Sequence, residues 1–156
     1  MRRPVVDVVS STALIARFIV RLLLAALFLA AATLHFLHPE PFLRIMPPWI
    51  PFHRACVLIS GVFELMGGVG LLIPVRRIQV VTGWGLTLLL LAVFPANIYM
   101  AVAHVQLPGM EIPSWIAWAR LPFQPLLIVA VAWVTGTWHW NCKKEGPIQR
   151  KPKINH

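Results

Sequence analysis

Four long stretches with almost no charge dictate what this chain can become. A helix needs about 20 consecutive apolar residues to cross the hydrocarbon core of a bilayer. Residues 18–37, 55–73, 78–103 and 121–140 each supply such a run, the third interrupted by Pro95. Inside lipid every backbone N–H and C=O must find its partner within the protein, which leaves helices as the structure these runs can take. Hydrophobic residues make up 58% of the chain and charged residues 12%. That is about half the charge of an ordinary soluble domain, and the apolar excess equally excludes a disordered chain. At 156 residues there is room for one domain. The expectation is an all-α integral membrane four-helix bundle, one domain over residues 1–156, ending in a basic tail at 141–156.

The first run has a competing reading. Arg17 and Arg21 precede an apolar stretch that passes through Ala30, Ala31 and Ala32, in the manner of a secretory signal with a small-residue cleavage site. The long segment before Phe18 and the apolar continuation through Leu34, Phe36 and Leu37 favour a retained helix.

The basic residues are not scattered. Of the 14, Arg2, Arg3, Arg17, Arg21, Arg76, Arg77, Lys143, Lys144, Arg150, Lys151 and Lys153 fall on one side of a four-span arrangement. Arg44, Arg54 and Arg120 fall on the other. The positive-inside rule then sets both termini in the cytoplasm. The net charge of +9 is thereby a topology signal and a means of touching anionic lipid heads, with no nucleic acid partner required.

The connections differ in kind. Residues 74–77 form a tight inner hairpin. The first outer loop, residues 38–54, carries prolines at 39, 41, 47, 48 and 51, and the second, residues 104–120, carries Pro108, Gly109 and Pro113. Proline blocks continuous helix, so short interfacial pieces lying on the bundle are expected in both. Trp49, Trp115 and Trp118 belong at headgroup depth, either as interfacial anchors or as a lid over an outward-facing pocket, with Trp138 and Trp140 forming the inner belt.

Ionisable and amide side chains inside the spans carry the functional signal. Glu64 stands about nine residues into the second run, ~13–14 Å deep at 1.5 Å per residue, near mid-membrane. A charge there is costly and points into the bundle, protonated or paired. Ser60, Glu64, Gly67 and Gly68 share one helical face, whose small residues admit a neighbouring backbone. His35 lies near the outer end of the first run, with Ala31 and Phe28 below it. Asn97 lies in the outer part of the third, where Pro95 frees a backbone carbonyl near position 91. Arg120 marks the mouth of the fourth, with Gln124 one turn deeper. His35, Glu64, Asn97, Arg120 and Gln124 thus reach similar depth from four separate helices. Two readings stay open for the set, a functional pocket or interhelical hydrogen-bonding glue.

Other chemistries fit less well. Axial haem ligation by His35 and His104 requires the two to face each other across the bundle. Cys56 and Cys142 fall on opposite sides of the membrane, so they neither pair nor build a zinc site. The glycines at 67, 68 and 70 lie within a span, where they serve packing rather than phosphate binding. Inverted repeats of the transporter kind are not evident.

His35-Phe36, SGVFELMGGVGLLIP from Ser60, VFPANIYMA from Val93 and RLPFQ from Arg120 resemble the DoxX family of small four-helix membrane proteins, across all four spans. The resemblance implies a four-helix bundle in the bacterial inner membrane. The family name comes from a subunit associated with a thiosulfate:quinone oxidoreductase. Other members are linked to redox-defence complexes, methylamine-dehydrogenase maturation, or chaperone and cargo-receptor roles.

The leading expectation is a membrane accessory or binding subunit in a redox-linked complex with a membrane or periplasmic protein partner. Its outward-facing polar site holds a small lipophilic molecule such as a quinone, which wants apolar walls and one or two hydrogen-bond donors. Glu64 is the proton-accepting or hydrogen-bonding group, Arg120 its charge partner, and His35, Asn97 and Gln124 orient the ligand. Enzymatic activity is left open, since an electron donor has to come from the partner. The alternative is a structural or chaperone-like subunit with no ligand chemistry.

Overall fold

The computed structural model describes residues 4–105 and 113–137, with side chains from residue 11 onward. Those residues form five helices and no strand: α1 Pro4–Leu37, α2 Glu40–Arg44, α3 His53–Leu72, α4 Arg76–Val102 and α5 Ser114–Thr135. All but α2 are long and apolar enough to cross a membrane. The four long helices close a ring in which α1 packs on α3, α3 on α4, α4 on α5 and α5 back on α1. The large apolar side chains that face outward, such as Leu23, Met66, Val81, Leu88 and Leu126, suit lipid rather than water.

Two helices are longer than their apolar runs suggest. The first begins at Pro4, not near Phe18, so Arg17 and Arg21 are helical residues. Their guanidinium groups lie over aromatic rings, Arg17 5.4 Å from the Trp133 ring and Arg21 5.6 Å from the Phe18 ring. Long cationic side chains of this kind keep apolar stems in lipid and heads near the interface. The last helix starts at Ser114, two turns before the expected Leu121, and runs through Pro122 and Pro125. Trp115, Trp118 and Arg120 are therefore on α5 and not in a loop. Each internal proline costs one helix hydrogen bond, a loss tolerated in membrane helices whose neighbours re-satisfy the backbone. The fourth helix likewise continues through Pro95 without interruption. The expected Trp138–Trp140 end lies outside the described residues.

The end of the bundle at the α3–α4 turn is locked by polar contacts. Residues 73–75 join the two helices, and the Gln79 side-chain amide donates to the Ile73 carbonyl at 3.2 Å. Arg76 donates through Nη1 to the Thr135 carbonyl and through Nη2 to the Gly136 carbonyl, the latter at 2.9 Å, capping α5. Gly136 has a φ of 64°, the left-handed C-terminal turn that glycine takes without strain.

The core is divided. Leu24, Ala25, Phe28, Leu71, Leu86, Leu90, Val131 and Val134 from the four long helices form one buried cluster. A second cluster closes the opposite end, where Ile45 from the loop after α2 packs on Ala96, Met100, Ala101 and Ala117. Pro47 is also fully buried, and Trp49 meets Tyr99 edge to face with centroids 5.8 Å apart. The proline-rich connection thus forms a short helix and a plug on the bundle, as its composition suggests.

Candidate functional site

The five candidate residues do not converge on one point. They fall into two groups, one between α1 and α3 and one between α4 and α5.

In the first group, His35 projects from the last turn of α1, on the face that also buries Ala25, Phe28 and Ala32. Gly61 on α3 makes this approach possible, since a Cβ there would stand 2.9 Å from the His35 Cβ and 3.2 Å from the Phe36 ring. Gly68 performs the same service two turns on, against Leu29 and the Ala25 carbonyl. The glycine face that carries Glu64 toward α1 is therefore Gly61–Gly68. Gly67 and Gly70 instead admit Leu86 and Thr82 of α4, so the expected single small-residue face serves two neighbours.

Glu64 Oε2 lies 3.1 Å from His35 Nδ1, with both side chains nearly buried at 12% and 9% exposure. The same Nδ1 is 2.8 Å from the Ala31 carbonyl. A carbonyl can only accept, so a proton on Nδ1 is directed at Ala31 and away from the carboxylate. That leaves Glu64 Oε2 buried with no hydrogen-bond partner despite its closeness to the imidazole. The opposite assignment moves the proton onto Glu64, whose O–H then donates to Nδ1 and leaves the Ala31 carbonyl facing a ring lone pair at 2.8 Å. One proton thus has two stations within 3.1 Å, and buried polar atoms left without a partner are costly enough to make the choice matter.

Phe42 of α2 covers this pair. Its ring stacks on the His35 imidazole with centroids 3.8 Å apart and an interplanar angle of 22°. The loop prolines give no hint of this contact, since nothing in the local pattern of residues 38–54 says which aromatic folds back. The tryptophans form no such cover, as Trp49 and Trp115 are each 70% exposed.

In the second group, Asn97 Nδ2 donates to Gln124 Oε1 at 2.6 Å, and Gln124 Nε2 donates to the Leu90 carbonyl. This is the turn preceding Pro95, near the carbonyl that proline sets free. Gln124 is 4% exposed and fully engaged. Arg120 contradicts its expected role as the charge partner of Glu64. It is exposed, and its Nη1 lies 3.2 Å from the Met100 sulfur. Among the described residues the ion-pair partner of Glu64 is His35. The cause is register: with α5 beginning at Ser114, Arg120 sits nearly two turns inside the helix and turns toward α4, not across to α3.

The described residues define a multi-pass, all-helical membrane bundle with a nearly buried acid–imidazole pair beneath the short helix α2. The family model described as a domain of unknown function, DUF8561, matches residues 24–135, and the chain belongs to that family. The matched segment contains all five candidate residues. No curated protein and no solved structure matches the chain.

Proposed function

We propose that the chain is a DoxX-like accessory subunit of the bacterial inner membrane that holds a small lipophilic molecule of the quinone class against His35 and Glu64. The observation that carries this reading is Glu64 Oε2, a buried acceptor beside an imidazole with no donor aligned on it. The reduced form of such a molecule supplies what that geometry lacks, because a quinol O–H donates to Oε2, and the oxidised form accepts from Glu64 once the acid is protonated. The second ring nitrogen of His35 offers a further donor or acceptor according to tautomer. The stacked Phe42 adds support, since the face it covers is where a flat ring would lie. In this reading α2 is a lid, and Phe42 leaves the imidazole when ligand enters. The orientation in this reading, both termini cytoplasmic and the lid periplasmic, is supported by four spans with Arg76 and Arg77 at the α3–α4 turn and by the basic residues of the tail.

Titration with a short-tailed benzoquinone, followed by tryptophan fluorescence in detergent, tests the reading. Phe42→Ala removes a ring contact that competes with ligand, so it binds roughly two- to tenfold more tightly than wild type. Equal affinity, or no saturable binding by either protein, overturns it.

A second reading has its own observation. The Asn97–Gln124–Leu90 chain already joins α5 to α4 through two hydrogen bonds within the protein. We infer that this group is interhelical glue, and that if the His35–Glu64 pair is glue as well, the chain is a structural or chaperone-like subunit that grips other membrane proteins.

A further inference from the structure

The strongest unassigned feature is a groove on the outer surface of the bundle, between α3 and α4, on a different face of α3 from the one that turns Glu64 toward His35. It encloses about 540 Å³ and is walled by Leu65, Met66, Val69 and Ile73 on one side and by Ile78 and Val81 on the other. Its walls are almost wholly apolar, and Arg77 stands at the end nearest the α3–α4 turn. From Leu65 to Ile73 the groove runs roughly 12 Å along the helix axis.

Two observations select its occupant. The first is where the groove opens. Leu65, Met66, Val69 and Val81 are all well exposed, on spans whose outward faces are apolar, so the opening faces lipid tails. The second is the state of the two adjacent arginines. Arg76 is committed to the Thr135 and Gly136 carbonyls. Arg77 is exposed and has no hydrogen-bonding or ion-pair partner among the described residues. The described carboxylate side chains, Glu40 and Glu64, do not reach this end: Glu40 opens α2, and Glu64 meets His35. A single cation at the rim of an apolar slot matches one molecule with both parts, a phospholipid with a negatively charged headgroup.

We propose that the α3–α4 groove is a binding site for an anionic phospholipid, one acyl chain lying between Leu65–Ile73 and Ile78–Val81 and the phosphate resting on Arg77. Met66 adapts the wall to the chain, as an unbranched thioether does. Small residues deepen the slot, Gly70 closing it at the base against Thr82.

The test is native mass spectrometry of the full-length protein extracted from nanodiscs of equal parts phosphatidylglycerol and phosphatidylcholine. Wild type retains phosphatidylglycerol in preference to phosphatidylcholine through delipidation. Arg77→Gln lowers that retention roughly fivefold, while Arg77→Lys restores it. Val69→Trp fills the groove but keeps the cation, and also loses the lipid. An excess of inorganic phosphate does not displace it, because phosphate lacks the chain. Equal retention of the two lipids by wild type, undiminished retention by Arg77→Gln or by Val69→Trp, or displacement by inorganic phosphate overturns the proposal. The comparison of headgroups in wild type needs no variant to fold, and Val69 and Arg77 both lie at the surface.

Discussion

Replacing Gln124 with leucine separates the two polar groups by their consequences. The side chain is 4% exposed, accepts from Asn97 Nδ2 and donates to the Leu90 carbonyl, so it joins α5 to α4 twice. Leucine fills a similar volume and removes both bonds. Interhelical hydrogen bonds in membrane proteins average about 0.6 kcal/mol, because the unfolded chain in lipid also finds partners. Gln124→Leu should therefore cost about 1.2 kcal/mol, and Asn97→Leu, which breaks one of the two bonds, about 0.6 kcal/mol. The two costs do not add. Once Gln124 is gone, Asn97 has lost its acceptor already, so the double variant should match Gln124→Leu within about 0.3 kcal/mol. Reversible unfolding in mixed micelles, titrated with a denaturing detergent and read by helical circular dichroism, supplies the four corners of the cycle. Additive costs, or a neutral Gln124→Leu, would refute the coupling and the assignment of this group to packing. Quinone binding should be unchanged in Gln124→Leu, since the group lies outside the His35–Glu64 site.

Other perturbations follow from the same contacts. Gly83 and Gly85 sit one turn apart or less on α4 and should respond with opposite signs. A Cβ at Gly83 drives into Thr135 and Thr137, so Gly83→Ala destabilises by about 1–3 kcal/mol in the same unfolding assay. A Cβ at Gly85 meets nothing within 4 Å, so Gly85→Ala stabilises by about 0.5–1 kcal/mol through helix propensity alone. Arg76→Ala removes both donors from the end of α5 and costs about 1 kcal/mol. Hydrogen exchange should quicken in the last turn of α5 while the first turns of that helix keep their protection.

The number of spans and the loop plug can be read from apolar runs and proline clusters, because length and hydropathy are what a bilayer demands of any chain. The His35–Glu64 pairing is half visible: both residues stand out as polar groups at depth, but the face expected from Ser60, Gly67 and Gly68 omits Gly61, whose missing side chain permits the approach. Helix limits are harder to see. The apolar run argues for a helix that begins at Leu121, yet α5 starts at Ser114 and continues through Pro122 and Pro125, as membrane helices tolerate. Arg120 follows that shift: its partner is a sulfur on α4 and not the carboxylate on α3. Phe42 over His35 is a contact between residues seven apart across a helix break, set by the angle at which α2 leaves α1 and by no local pattern.

In the proposed function Glu64 serves a ligand and not only the fold. The most direct measurement compares lipophilic molecules that co-purify with wild type and with Glu64→Gln in mild detergent, identified by mass spectrometry, alongside the unfolding midpoint of each. Glutamine keeps the shape and hydrogen-bonding capacity of the side chain but cannot exchange a proton with His35. A discrete quinone should be enriched with wild type and lost from Glu64→Gln, with unfolding midpoints that agree. Identical bulk lipid with both proteins, or a quinone retained equally by the two, would contradict it and leave the pair as packing.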